Sequence, residues 1–83
     1  MFIVDSNGNP KVFTLDPGKS ATYWYWWGGS YQGPHQALPL NVYSTGPFVA
    51  TAQGMWFDGG KVKYVVTIKN TGSSNGGFWV QVI

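Results

Sequence analysis

The sequence predicts an all-β fold: a small antiparallel β-sandwich or barrel of six to seven short strands. Short runs of β-branched and aromatic residues recur between Gly, Pro, Asn and Asp turn signals. No stretch shows a helical period, and the good helix formers Glu and Arg are absent. With 83 residues the chain has the length of one domain, so residues 1–83 are expected to form a single β domain.

The first half of the chain is predicted to contain three short strands. Residues 1–5, 11–15 and 21–27 are rich in apolar and aromatic side chains, and the turn sequences SNGNP and DPGKS separate them. Asn and Gly tolerate a positive φ in such turns, and Pro restricts its own φ. Residues 28–47 hold several breakers and no clear period. We therefore expect a long connection there, with a short strand at residues 40–43.

The second half is predicted to contain three further strands. Residues 48–57 form a strand with a bulge at Gly54, and DGGK at 58–61 forms a hairpin turn. Residues 61–70 alternate between apolar and polar side chains, and residues 78–83 form the last strand. The alternation predicts one buried face that contains Val62, Tyr64, Val66 and Ile68.

Three short segments resemble segments of known families. L-D-P-G-K-S-A-T at 15–22 and V-T-I-K-N-T-G-S at 66–73 resemble strand–turn phrases of bacterial immunoglobulin-like sandwich domains, including adhesion domains and accessory modules of carbohydrate-active enzymes. W-G-G-S at 27–30 resembles the sugar-contacting segment of lectins of the Oscillatoria-agglutinin type. The first resemblance implies a sandwich fold, and the second implies sugar binding.

Composition argues against several classes of partner. The chain has five Lys, three Asp, no Arg and no Glu, and only 10% of its residues are charged. Nucleic-acid binders cluster Lys and Arg on one face, so no nucleic-acid partner is expected. No apolar run approaches the roughly 20 residues of a membrane helix, so membrane insertion is not expected either. We expect a secreted or cell-surface protein, although this chain starts without a signal peptide.

The residue types needed for catalysis are scarce, and we expect no enzyme, no metal and no cofactor. The three carboxylates, Asp5, Asp16 and Asp58, all stand in turn signals, where Asp bonds nearby backbone. No Cys is available as a nucleophile or metal ligand. His35 is the single histidine, and no acid lies near it in the sequence to orient it.

The aromatic residues are the most informative feature of the sequence. YWYWWGGSYQGPH at 23–35 holds six aromatic rings in thirteen positions. Strand side chains alternate between faces, so the rings of this segment should divide by parity. Tyr23, Tyr25 and Trp27 are expected inward, whereas Trp24 and Trp26 are expected outward. In the last strand the same alternation places Trp79 outward, next in that row to Gln81.

Outward tryptophans beside polar residues favour a carbohydrate-binding, lectin-like domain. The apolar C–H faces of a sugar pack on aromatic rings, and its hydroxyls need polar partners. The expected partner is a glycan or polysaccharide. The predicted ligand-binding residues are Trp24, Trp26, Tyr31, Gln32, His35 and Trp79.

The main alternative is a structural, self-assembling or accessory β-sandwich whose aromatics form a subunit interface, where Trp and Tyr are enriched. A homo-oligomer is expected on either hypothesis, because the aromatic content exceeds what one small core needs. A membrane-active module is a third possibility, which the low number of lysines disfavours.

Overall fold

The computed structural model describes residues 1–26, 35–41 and 47–83, and these residues form six strands and no helix. The absence of helices there means that none of the described segments is a membrane-spanning helix. The all-β prediction is confirmed, with the predicted number of strands. The strands are β1 (Phe13–Leu15), β2 (Ser20–Trp26), β3 (Ala37–Asn41), β4 (Phe48–Asp58), β5 (Lys61–Asn70) and β6 (Gly76–Val82).

The strands form two antiparallel sheets of three strands each. One sheet has the order β1-β6-β3, and the other has the order β2-β5-β4. The inner faces of both sheets contribute to one apolar core, in which Phe78 of β6 is fully buried. Its ring contacts Phe48 of the opposite sheet at 4.6 Å and Tyr23 at 6.1 Å between centroids. Edge and offset contacts of this kind add to the free energy of burial.

The central strand β5 shows the predicted alternation most clearly. The four side chains predicted to face inward are at most 2% exposed, which confirms the predicted buried face. The outward positions hold Lys and Thr residues, together with Val65. Because β5 is hydrogen-bonded on both edges, to β2 and to β4, it fixes which face every residue of that sheet presents.

The hairpin between β4 and β5 has the predicted two-residue turn. Gly59 and Gly60 adopt φ values of 61° and 85°, which side chains other than glycine rarely adopt. Two successive positive φ values are the signature of the type I′ turn, whose twist matches that of the flanking strands. The turn pairs Asp58 with Lys61 and therefore sets the register of the whole hairpin.

Three details of the predicted strands are wrong. Residues 1–5 form no continuous strand, because only the isolated bridges Phe2–Gln81 and Val4–Pro10 connect that segment. The short strand expected at 40–43 lies earlier, at Ala37–Asn41. Residues 11–15 contribute only the three residues of β1.

The bulge of β4 also lies elsewhere than predicted. The register shifts between Ala50 and Ala52, so Thr51 is the extra residue. Gly54 instead stays in register opposite Val65. A Cβ at position 54 would lie 3.1 Å from Val65 Cγ1, so glycine there relieves crowding on the sheet surface.

A buried amide holds three segments together at one end of the sandwich. Asn70 is fully buried, and its Nδ2 donates to the carbonyl oxygens of Leu15 and Ser74, each at 2.9 Å. Its Oδ1 accepts from the Gly72 amide at 2.9 Å. These bonds satisfy a polar side chain that would otherwise be costly to bury, and they fasten the β5–β6 connection to β1.

A second amide links the two sheets along their β3–β4 side. Gln53 Nε2 donates to the carbonyl oxygen of Ala37 at 2.6 Å, and Gln53 Oε1 accepts from the Ala37 amide at 3.2 Å. The side chain thereby offers one donor and one acceptor to a single residue, as the backbone of a neighbouring strand would.

Candidate functional site

The rings of β2 divide by parity as predicted. Tyr25 is 8% exposed and stacks on Tyr64 of β5 at 5.5 Å, with 16° between the ring planes. Tyr23 is half-buried and packs edge-on against Phe13 at 4.7 Å. Trp24 and Trp26 are exposed on the other face, as expected from the pleat of a strand. Trp27 lies outside the described residues.

Burial changes the acidity of the inward tyrosines. Two effects together raise the pKa of Tyr25 to about 12. The larger is the loss of water around the buried phenol, and the smaller is the neighbouring Tyr64. Burial also raises the pKa of Tyr23. Both phenols are therefore neutral at physiological pH and serve as packing groups.

Trp56 of β4 joins the two outward rings of β2. The register places Trp26 and Trp56 on either side of Lys63 of β5, in one row across the sheet. Trp24 stands two residues before Trp26 on the same strand, and their rings meet edge-on at 5.7 Å between centroids. The three indoles are 41–53% exposed. We call Trp24, Trp26, Trp56 and Lys63 the outer tryptophan face.

Lys63 is the polar centre of the outer tryptophan face. Its Nζ lies 4.1 Å from the ring centroid of Trp24 and 5.5 Å from that of Trp56. The same atom lies 3.8 Å from Asp58 Oδ2, and the Lys63 side chain is 19% exposed. Cation–π attraction and the ion pair both favour this position of the ammonium group. The ammonium group thus lies between two indoles, and the Lys63 side chain is still partly exposed to water.

The surface beside these rings is shallow. Trp24, Val65 and Gly54 form the neighbouring row across the three strands. Because Gly54 has no side chain, the surface is raised at the Trp24 indole and lies at the level of the backbone at Gly54. Farther along, the hydroxyls of Thr22 and Thr67 bond each other at 2.8 Å. Apolar rings, a cation and hydroxyl groups are therefore available on one open surface.

Trp79, a predicted site residue, lies on a different surface. It belongs to β6, whose outward side chains face away from the β2-β5-β4 sheet. Its ring packs edge-on against Phe2 at 5.5 Å, and its cross-strand neighbour is Leu40. Trp79 therefore does not lie on one face with Trp24 and Trp26, because parity gives the face of a strand but not the sheet to which the strand belongs.

The remaining predicted ligands do not join the outer tryptophan face within the described residues. His35 is half-buried, and its ring packs edge-on against Tyr64 at 5.0 Å, on the core side of β5. In this arrangement His35 lies on the face of β5 opposite to the one that carries the rings of Trp24 and Trp26. Tyr31 and Gln32 lie outside the described residues.

The three aspartates stand in or beside turns, and Asp58 also forms a surface ion pair with Lys63. Asp5 Oδ1 accepts from the amides of Asn7 and Asn9 at 2.9 and 3.1 Å, which is the local bonding expected of Asp in a turn. The Asp16 carbonyl closes a turn by accepting from Lys19. Within the described ranges, no three His, Asp or Glu side chains come together in a way that could hold a metal ion.

Sequence reasoning did not place Lys63 or Asp58 in the site. Both could have been found by counting outward from the DGGK turn, since a two-residue turn pairs residues 58 and 61 and hence residues 56 and 63. The same count puts Trp56 and Lys63 on one face. Their position opposite Trp26, by contrast, depends on how β2 pairs with β5, which no local pattern specifies.

Comparison with models of protein families, with curated proteins and with solved structures finds no match for this chain.

Proposed function

We propose that this protein binds carbohydrate through the outer tryptophan face. The observation that supports this function best is the grouping of three half-exposed indoles around one lysine on a single sheet. Several exposed tryptophans on one surface usually mark an interaction site. The β-sandwich provides a rigid base for them, because β5 is paired on both sides.

The chemistry of the face suits a sugar better than a purely apolar partner. The indoles offer apolar surface to the C–H groups of a pyranose ring. The Lys63 ammonium and the Asp58 carboxylate, which is 54% exposed, offer a donor and an acceptor to its hydroxyls. Because the face is open and shallow, it fits an extended polysaccharide chain that lies across the strands better than a single sugar enclosed in a pocket.

Replacing Trp56 by Ala tests the proposal. We expect the Trp56→Ala and Trp24→Ala variants to lose roughly tenfold or more in affinity for polysaccharide, which corresponds to about 1.4 kcal/mol. Both rings are half-exposed, so the fold should persist. Binding is measured by affinity electrophoresis in gels that contain soluble glucans, xylans, mannans or pectin, and by pull-down with insoluble cellulose and chitin.

Phe57→Ala is the matched control. Phe57 is the next residue of β4, is 73% exposed and faces the other side of the sheet. This variant should bind like the wild type. Trp79→Ala provides a second control on the opposite sheet. Wild-type protein that binds none of these polysaccharides, or equal losses in the Phe57 and Trp56 variants, would refute the proposal. If the Trp56→Ala variant changes its oligomeric state in solution but binds sugar like the wild type, the subunit interface is favoured instead.

A further inference from the structure

The edges of the two sheets differ in their protection against pairing with another strand. An unpaired edge exposes N–H and C=O groups, and natural sheets blunt such edges with short strands, proline, bulges or charges. β1 has three residues. β3 contains Pro39, which has no N–H, and Ala37, which bonds the Gln53 side chain. β4 is bulged at Thr51 and ends with the charged Asp58.

The edge of β2 carries none of these protective features. Its seven residues pair in unbroken register with β5, and they include no proline, glycine or charge. In the described part of the chain β2 has no other strand neighbour. The Asn70 amide donates to the Lys19 carbonyl at 3.0 Å, so odd-numbered residues of this segment bond toward β5. The backbone groups of Ser20, Thr22, Trp24 and Trp26 therefore point to the open edge.

The sequence of β2 is complementary to itself in antiparallel pairing. It reads S-A-T-Y-W-Y-W, with three small residues before Tyr23 and three large rings after it. A two-fold axis at Tyr23 would pair Trp26 with Ser20, Tyr25 with Ala21 and Trp24 with Thr22 of the second copy. Each of the three rings after Tyr23 would then lie opposite a small side chain, which avoids crowding, and Tyr23 would lie opposite its own copy on the axis. The absence of charge removes like-charge repulsion from such a pair.

A groove lies beside this edge, where the two sheets separate. Two adjoining cavities of about 290 and 260 Å³ follow β2, and both are lined by Ile3 and Val4 of the opposite layer. Tyr23 and Trp24 line the first cavity, and Trp26 lines the second. A largely apolar groove that runs along the open edge of a strand gives a second chain both hydrogen bonds and surface to bury.

We propose that β2 pairs antiparallel with β2 of a second copy of this chain, about a two-fold axis at Tyr23. The two β2-β5-β4 sheets then form one sheet of six strands. The outward positions of β2 keep their face across the axis, so the outer tryptophan faces of both copies lie on the same side of that sheet. The dimer would present two sets of indoles to one extended ligand and would gain affinity from bivalency if that ligand is long.

A designed disulfide tests both the contact and its register. In the proposed pair, residue 20 of one copy lies opposite residue 26 of the other. The wild-type chain has no cysteine, so a Ser20→Cys, Trp26→Cys double variant should form an intermolecular disulfide on mild oxidation and run as a covalent dimer. The two positions are about 20 Å apart along their own strand, too far for a bond within one chain. The single Ser20→Cys variant is the matched control and should stay largely uncrosslinked.

Thr22→Pro tests the same contact without a crosslink. Proline removes an N–H that faces the open edge, and its φ is compatible with a strand. Sedimentation at micromolar concentration should give twice the 9.1 kDa chain mass for the wild type and the single-chain mass for Thr22→Pro. Thr22→Val, which keeps the N–H and loses only the hydroxyl, should remain a dimer. Circular dichroism of each variant checks that it is folded.

Each other outcome overturns the proposal. A wild-type protein that sediments as a monomer excludes the dimer. A dimer that persists in folded Thr22→Pro, together with no crosslink in the double variant, places the contact elsewhere. Sugar binding and dimerisation are measured separately, so failure of the dimer leaves the proposed function standing.

Discussion

At the scale of single residues, alternation along a strand decides what each aromatic ring does. Tyr25 and Trp26 are neighbours in sequence, yet one is 8% exposed and stacked in the core while the other is 41% exposed. The phenol of Tyr25 stays neutral at pH values above the usual tyrosine pKa, because ionisation would place a charge in a site from which water is excluded. The raised pKa of Tyr25 therefore makes the packing of this residue measurable.

The Tyr25 pKa predicts a loss of stability in alkali. Below pH 10 the phenol is neutral in both the folded and the unfolded chain, so its contribution is fully present. Between pH 10 and about 12 only the unfolded chain ionises at this residue, which lowers the free energy of unfolding by roughly 2–3 kcal/mol. Denaturant titrations at pH 9 to 12 should show this decrease, over and above changes from other groups.

Tyr25→Phe is the control for the alkaline effect. It keeps the stacked ring and removes the ionisable hydroxyl, so its stability should fall less steeply over the same pH window. Parallel curves for the wild type and Tyr25→Phe would contradict the raised pKa.

At the scale of strands, the DGGK turn determines the register of the outer tryptophan face. Substituting Ala for Gly60, whose φ is 85°, should cost about 1–2 kcal/mol because side chains strain in that conformation. Gly59→Asn should cost less, since Asn tolerates a positive φ and Asn-Gly suits a type I′ turn. Thermal unfolding measures both changes, and equal melting temperatures for the two variants would count against the turn type.

A one-residue insertion is a sharper test of the same hairpin. Extending the turn by one residue should force Trp56 either out of register with Lys63 or onto the other face. Sugar binding should then fall as far as in Trp56→Ala, even though every residue of the face is still present. Unchanged binding would show that the pairing of Trp56 with Lys63 is not required.

Local patterns predicted strand faces well and strand partners poorly. The face of each residue in β2 and β5 follows from alternation alone, which is why Trp24 and Trp26 were placed outward correctly. The positions of Trp79 and His35 depend on which sheet a strand joins and on where β3 begins. Those features are set by long-range pairing across the core. Because proline is rare inside strands, Pro39 favoured the prediction of a connection where β3 lies. The bulge at Thr51 was misplaced because glycine signals both bulges and close contacts.

At the scale of the whole molecule, the two outer faces have different character. The β2-β5-β4 sheet carries Lys61, Lys63 and Lys69 on β5 together with its three indoles. The opposite sheet presents Trp79 packed on Phe2, and its other outward side chains include Leu38, Leu40 and Gln81. Three of the five lysines thus follow one face, and Asp58 on the same face offsets one of them, so this face keeps a positive charge that favours approach of a partner with negative charge.

The bonds between Gln53 and Ala37 have a consequence for amide hydrogen exchange. The Ala37 N–H lies on the edge of β3, where an amide would normally exchange quickly with deuterium. Its acceptor belongs to the other sheet, so this proton is protected only while the two layers stay together. In Gln53→Leu we expect exchange at Ala37 to accelerate at least tenfold, while exchange at Ile68, inside the β2-β5-β4 ladder, changes little. The Ala37 amide therefore reports separation of the layers before either ladder breaks, and equal acceleration at both sites would mean that the sandwich opens only by global unfolding.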